Sequence, residues 1–388
     1  MKNKLIAMTL MATMAISLIA CGKDNKDSDE KKKSEKEATT TQTEIEYNVD
    51  DYVTLGDYKG IEVTLDGNYE YTDEGFDEYV QSTINSEALF VEDSTQTEIK
   101  EDSIVNVDYV GSQDGVAFNG GSAEDQMIDV ANNCSAGSMS GYIEGFTAGL
   151  VGHSVGEEVA YEVTFPEEYQ NEDLAGQTVT FTFQVNYIAK AITSKSDLTD
   201  EIVSENFGYD TVKEYLAYLK EQYTKTLEDN LANDKETAVL NSIINNSTVS
   251  EIPEELLQAR VDLILYTQDL QYQSYGTTMK DYAESMGYDY DEIVSQLTES
   301  VKESTETEMI LEAIAKAEGL EVDEDGYNEF ITPIYTQMGY SDLDSFYTAF
   351  SVDGYGGERY FKLAYLTEKA TDFCVENAVV NFTDSDAE

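Results

Sequence analysis

The chain has 388 residues, of which 41% are hydrophobic, enough for a sizeable core spread over two or three domains. Its 79 acidic against 23 basic side chains leave a formal charge of −56, a field that repels nucleic acid and gives no basic grip on anionic lipid. The single histidine (His153) and three cysteines without CxxC spacing (Cys21, Cys134, Cys374) exclude a multi-histidine zinc site and a dithiol redox centre, so no metal and no cofactor is expected.

Lys2 and Lys4 precede an apolar run over residues 5–20, a secretory h-region too short to span a bilayer comfortably. It ends in Leu18-Ile19-Ala20-Cys21-Gly22, which resembles the lipobox of bacterial lipoproteins. That resemblance makes residues 1–21 a signal peptide, with cleavage before Cys21 and lipidation of its thiol. Residues 22–46 carry almost no apolar side chains. Such a stretch cannot offset chain entropy by burial, so a disordered tether is expected. The mature protein would then be extracytoplasmic, lipid-anchored to the outer face of the cytoplasmic membrane.

Residues 47–100 read as a linker strand and helix. The extended piece YVTLGDYKGIEVTL is followed by Phe76, Tyr79, Val80, Ile84 and Leu89 at helical spacing, with Asp73 as the expected N-cap. Over residues 101–190 the period becomes two. Val105, Val107 and Tyr109 share one face, as do Val159, Tyr161, Val163 and Phe165, and then Val179, Phe181, Phe183, Val185 and Tyr187. Polar residues fill the opposite positions, the pattern of an antiparallel sheet with one buried face. From 191 to 380 the period returns to 3.6. Val212, Tyr215, Leu219, Tyr223, Leu227 and Leu231 trace one stripe, Pro253 opens a helix with Glu254 and Glu255 in its first turn, and further helices are expected at about 289–318, 323–338, 342–350 and 357–378. Residues 381–388 form a short acidic tail. The class is α+β.

Three stretches carry chemistry: VDYVGSQDGVAFNGG (107–121), YIEGFTAGLVGHSVGEE (142–158) and VTFPEEYQNEDLAGQTVTFTFQV (163–185). In this order they resemble the FKBP-type peptidyl-prolyl isomerase domain, and more closely its version inside trigger factor. YKGIEV before them, and IPEELLQARVD and AIAKAEGLEVDED after them, extend the resemblance over roughly residues 50–380. It implies an FKBP-like antiparallel sheet with a short helix over 101–190, followed by an all-α chaperone domain like the trigger factor C-terminus over 191–380. By motif, the isomerase pocket falls on Tyr109, Phe118, Ile143, Phe146, Tyr169 and Phe181. Phe146 would form the floor, and the Ile143 backbone N–H would meet the substrate carbonyl. His153 has no Ser or Cys partner in view and reads as a turn residue.

Three departures bear on that pocket. Gln126 stands where the family usually has an aromatic, Asn119 where many small FKBP domains have an acid, and the stretch between Asp125 and Tyr142 is longer than the family's. Two readings therefore stay open: a foldase with a working isomerase, or a holdase lipoprotein whose isomerase domain is inactive. A surface adhesion lipoprotein reusing the architecture ranks behind both. The many tyrosines and the methionines of the helical region (Met279, Met286, Met338) offer adaptable contact area, although tyrosines also fill helix seams. The implied partners are unfolded or newly exported polypeptides, with the membrane reached through the lipid anchor. The tether stands where the family's ribosome-binding domain would precede the linker, so no ribosome partner is expected.

Overall fold

The computed structural model describes residues 44–138 and 141–383. Cys21 and its lipobox, most of the expected tether and residues 384–388 of the acidic tail lie outside them. The chain forms two compact units: Glu70–Thr226, and the residues up to Tyr69 together with those from Leu227 onward. Among the described residues no helix is long and apolar enough to cross a membrane.

The second of these units begins with two short strands, β1 (Val53–Thr54) and β2 (Glu62–Leu65). Ile45, expected in the tether, is buried here: its N–H bonds the Gly354 carbonyl and its own carbonyl accepts from Arg359. One isoleucine among polar neighbours is too weak a pattern to mark the start of an ordered chain.

In Glu70–Thr226, helix α1 (Asp73–Glu87) buries Phe76, Val80 and Ile84. Its cap is Thr72 rather than the expected Asp73. The Thr72 side chain accepts from the Gly75 N–H, and Asp73 becomes a first-turn acid, favourable against the helix dipole. Then come β3 (Phe90–Glu92), β4 (Ile104–Gln113), β5 (Val116–Asp129), β6 (Cys134–Ser135), β7 (Glu158–Thr164) and β8 (Thr178–Ala191). The sheet order is β3-β8-β4-β5-β6, with β7 also paired to β8, and every pairing is antiparallel. Asp114 and Gly115 turn β4 into β5 with φ of 51° and 82°, as a two-residue hairpin of matching twist requires.

Along β8, Val179, Phe181, Phe183 and Val185 are buried as the alternation requires, but Ile188 replaces Tyr187 as the next buried residue. Asn106 pairs with Tyr187 and Val107 with Val185, so Asn186 is an extra residue that reverses the facing. Its side-chain amide is held by Asn106 Oδ1 at 2.9 Å and Asp108 Oδ1 at 3.0 Å. The sheet core is separate from a smaller cluster in which α1 meets α2 (Asp200–Phe207) and the start of α3 (Val212–Asn246), through Ile202, Val203, Tyr215 and Leu219.

The other unit is built from the end of α3, β9 (Thr248–Val249), α4 (Glu254–Ser274), α5 (Met279–Ser285), α6 (Tyr290–Ala317), α7 (Glu324–Gln337), α8 (Leu343–Ala349), α9 (Gly357–Asn377) and β10 (Val379–Phe382). β1 pairs antiparallel with β9, and β10 pairs parallel with β2, so the first residues expected in the acidic tail belong to a strand. Its core joins Val49, Val53 and Val63 to Met309, Ile314, Phe330, Phe346 and Phe361.

Candidate functional site

The sheet's buried face carries an interlocked set of rings. Phe146 lies 5.1 Å from Tyr109, 4.9 Å from Phe181 and 5.1 Å from Phe183 between centroids, all at steep angles. Edge-to-face geometry of this kind sets the positive rim of one ring against the negative face of another. Phe118 joins through Phe181 at 5.9 Å. Its ring needs glycine on two sides: a Cβ at Gly111 would fall 2.5 Å from it, and one at Gly121 2.3 Å. Tyr169 does not touch Phe146. Its exposed ring packs on Phe165 at 4.6 Å, and Phe165 in turn meets Phe118 at 6.1 Å, which puts Tyr169 at the rim. Ile143 is half-buried against the same core, and its N–H has no protein acceptor among the described residues. Tyr109, Phe118, Phe146 and Phe181 are thus brought together, with Ile143 beside them and Tyr169 linked through one intermediate.

The stretch around Ile143 and Phe146 is mostly turn. The short helix is a single 3-10 turn, Ala148–Leu150, preceded by the bond from the Phe146 N–H to the Ile143 carbonyl at 3.1 Å. Gly145 at φ 84° interrupts any longer helix immediately before Phe146. Gly152 at φ 86° then turns the chain towards β7, and the half-buried His153 pairs with Glu157 at 3.0 Å.

Four contributors were not singled out as site residues from sequence. Phe183 was read only as sheet core. Tyr142 stacks on Phe146 at 4.4 Å and 27°, its hydroxyl 2.8 Å from Ser135 Oγ. Tyr161 donates its hydroxyl to the Phe146 carbonyl and stacks on Phe183 at 5.3 Å. Asn133 bonds the carbonyls of both Tyr142 and Ile143. Period two already placed Tyr161 on the buried face, and Tyr142 adjoins the quoted motif; nothing local marks Asn133. Gln126, opposite Val107 on β5, folds its amide back on the Glu124 carbonyl at 2.8 Å. Burial, and then Tyr142, push the Tyr109 phenol above its usual range, and burial does the same for Tyr161. Both stay neutral hydroxyls at physiological pH. Among the described residues the nest includes no nucleophile–base pair; it offers apolar rings with the Ile143 N–H at their edge.

The profile for FKBP-type peptidyl-prolyl cis-trans isomerase matches residues 95–188, and that for the bacterial trigger factor protein C-terminus matches residues 211–376. Trigger factor 1 of Desulfitobacterium hafniense is 30% identical over 330 residues, which cover 84% of this chain and 73% of the relative. The chain belongs to the trigger factor family. Trigger factor of Halothermothrix orenii is 31% identical over 282 residues, 73% of this chain and 63% of the relative. That of Staphylococcus saprophyticus is 31% identical over 299 residues, covering 76% and 65%. The chain therefore spans slightly less than two-thirds of the length of these last two trigger factors. Its ring nest lies wholly within the FKBP-type domain.

Proposed function

We propose that this trigger factor relative is a membrane-tethered extracytoplasmic foldase that isomerises X-Pro bonds in unfolded or newly exported chains and holds them as a chaperone. The observation that carries the isomerase half is the nest of Tyr109, Phe118, Phe146 and Phe181 beside the Ile143 backbone; the tether rests on the lipobox-like run over residues 18–22.

Rotation about an X-Pro bond crosses about 18–20 kcal/mol because amide resonance is lost at the twist. Unaided, it takes tens to hundreds of seconds. An apolar ring nest favours the twisted, less delocalised amide over the planar, more polar one. A backbone donor at its edge then stabilises the displaced carbonyl. That is preferential binding of the transition state, and each ~1.4 kcal/mol gained is tenfold in rate. No proton needs to move, so neutral Tyr109 and Tyr161 suit the task.

The holding function would use the apolar surface along residues 266–288, where Tyr266, Leu270, Tyr275, Tyr282, Met286 and Tyr288 are exposed. Amphipathic rings and thioethers accept varied partners, and the charge of −56 favours basic or neutral clients.

A proline-limited refolding assay tests the enzymatic half: acceleration by the wild type supports it, and equal rates with and without protein sink it. The tether is tested by metabolic labelling with a radioactive fatty acid. Label on the wild type and none on Cys21→Ser supports the anchor; an unlabelled wild type removes it. The second reading, a holdase with a silent isomerase site, is favoured by the cover over Phe146, which is 3% exposed beneath Tyr142. That protein would suppress aggregation of a model client without accelerating any proline step.

A further inference from the structure

Both side-chain N–H groups of Asn133 and its Oδ1 have protein partners, although the one Thr147 hydroxyl proton near Oδ1 also faces the Val130 carbonyl at 3.1 Å. Nδ2 donates to the Tyr142 carbonyl at 3.1 Å and the Ile143 carbonyl at 3.0 Å. Oδ1 accepts from the Thr147 N–H at 3.2 Å and lies 3.1 Å from the Thr147 hydroxyl. Two donors meeting two carbonyls, and an oxygen facing an N–H, allow only one orientation of the amide. The Asn133 backbone carbonyl also accepts the Tyr142 N–H at 2.8 Å, and its φ of 48° is one that asparagine tolerates better than most residues. A single residue therefore grips both backbone groups of Tyr142, the carbonyl of Ile143 and the residue that follows Phe146.

The grip on the Tyr142 carbonyl has a directional consequence. That carbonyl and the Ile143 N–H belong to one peptide unit, and in a planar trans peptide they point in opposite directions. Holding the carbonyl towards Asn133 turns the Ile143 N–H away from it, which agrees with that N–H having no protein acceptor among the described residues. A carbonyl that accepts a hydrogen bond also polarises its amide and makes the N–H a stronger donor.

We propose that Asn133 is a positioning residue for the isomerase site: by fixing the Tyr142–Ile143 peptide plane it aims and strengthens the Ile143 N–H as the donor that meets the twisted substrate carbonyl. The inference rests on the isomerase reading above. It also gives the long stretch between Asp125 and Tyr142 a role, because that stretch carries the brace.

The test compares wild type with Asn133→Gly, which keeps the left-handed backbone without strain and deletes the amide, and with Asn133→Asp, which sets oxygens against two carbonyls. The control is Asn132→Ala, at an exposed neighbour bonded only to Asp129. Proline-limited refolding should show kcat/KM about tenfold lower or worse in both Asn133 variants, with the loss in kcat rather than KM, as for an oriented transition-state donor. The control should match wild type. In 15N-labelled protein the Ile143 amide should shift and exchange faster with solvent in Asn133→Gly, while the β8 amides keep their positions and show that the sheet is folded. Wild-type kcat/KM in Asn133→Gly, or an Ile143 amide unmoved in that variant, overturns the inference. If the wild type has no isomerase activity, the functional reading fails by itself, and the Ile143 amide still decides whether Asn133 sets the peptide plane.

Discussion

In the unit Glu70–Thr226, Phe146, Tyr109, Phe181 and Phe183 pack on one another, and the polar tip of Tyr161 finds a backbone carbonyl; in the other unit, buried tyrosines gather around charge. There the Arg260 guanidinium lies 4.5 Å from the ring centroids of both Tyr355 and Tyr360, and it pairs with a fully buried Glu308. Nearby, the Tyr47 hydroxyl donates to Glu312 at 2.5 Å, while Lys316 holds Asn48 and Asp50. The same side-chain type thus does two jobs. Rings packed on rings form the apolar nest at which the proposed isomerisation would take place. Rings around an ion pair, with one guanidinium nitrogen and the Tyr355 hydroxyl lacking a partner among the described residues, form a core in which each charge depends on its neighbour.

The largest effect should come from breaking the ring nest. Phe146→Ala removes the ring that four others contact. It should cost about 3–5 kcal/mol of stability in that unit and abolish proline-limited acceleration. Phe146→Leu, which keeps most of the volume, should fold and still lose most activity, separating chemistry from collapse.

Breaking the charged core should be comparably costly but silent in the isomerase assay. Glu308→Gln leaves Arg260 buried and unpaired and should destabilise the helical unit by about 3–5 kcal/mol in urea melts. Normal stability in that variant would show the pair to be dispensable.

A smaller change sharpens the contrast from the other side. Tyr161→Phe deletes one hydroxyl and leaves the Phe146 carbonyl without that donor, for about 1 kcal/mol. A pH dependence adds a further contrast between the two units. Burial, and then Glu318, push the Cys374 thiol from 9.0 up to about 11, while Lys59 opposes them. The folded state therefore favours the neutral thiol. Its contribution is complete below pH 9.0 and is lost as pH rises towards about 11. In Glu70–Thr226, Tyr215 is pushed from 10.0 up to about 12, mainly by burial, so its loss begins one pH unit later. An alkaline melt should show the helical unit weakening first, and Cys374→Ala should shift that onset upward.

Much of this was legible in the sequence, for physical reasons that also mark where legibility ended. Period two exposed Val179 through Val185 because a half-buried strand must alternate, and helical spacing marked α6 to α9, although α6 and α9 are buried on several faces along residues 308–315 and 360–371. The pattern failed at Tyr187, where the Asn186 bulge reverses the facing; a bulge is a property of two strands, and one strand's sequence does not carry it. Residues 200–226 pack against α1 within the unit Glu70–Thr226, a partner that helical period alone does not name. The rings of Tyr109 and Phe181 were readable because motif and alternation coincided there, whereas Phe118 and Phe146 came from the motif alone. Asn133 was not readable, because its three partners, Tyr142, Ile143 and Thr147, are brought to it only by the folded turn.

The most direct test is the refolding rate of a proline-limited client with wild type, Phe146→Leu and Asn133→Gly compared at equal concentration. Clear acceleration by wild type, near-complete loss in Phe146→Leu and a partial loss confined to kcat in Asn133→Gly is the predicted order. Equal acceleration by all three would show that neither the ring nest nor its brace performs the isomerisation.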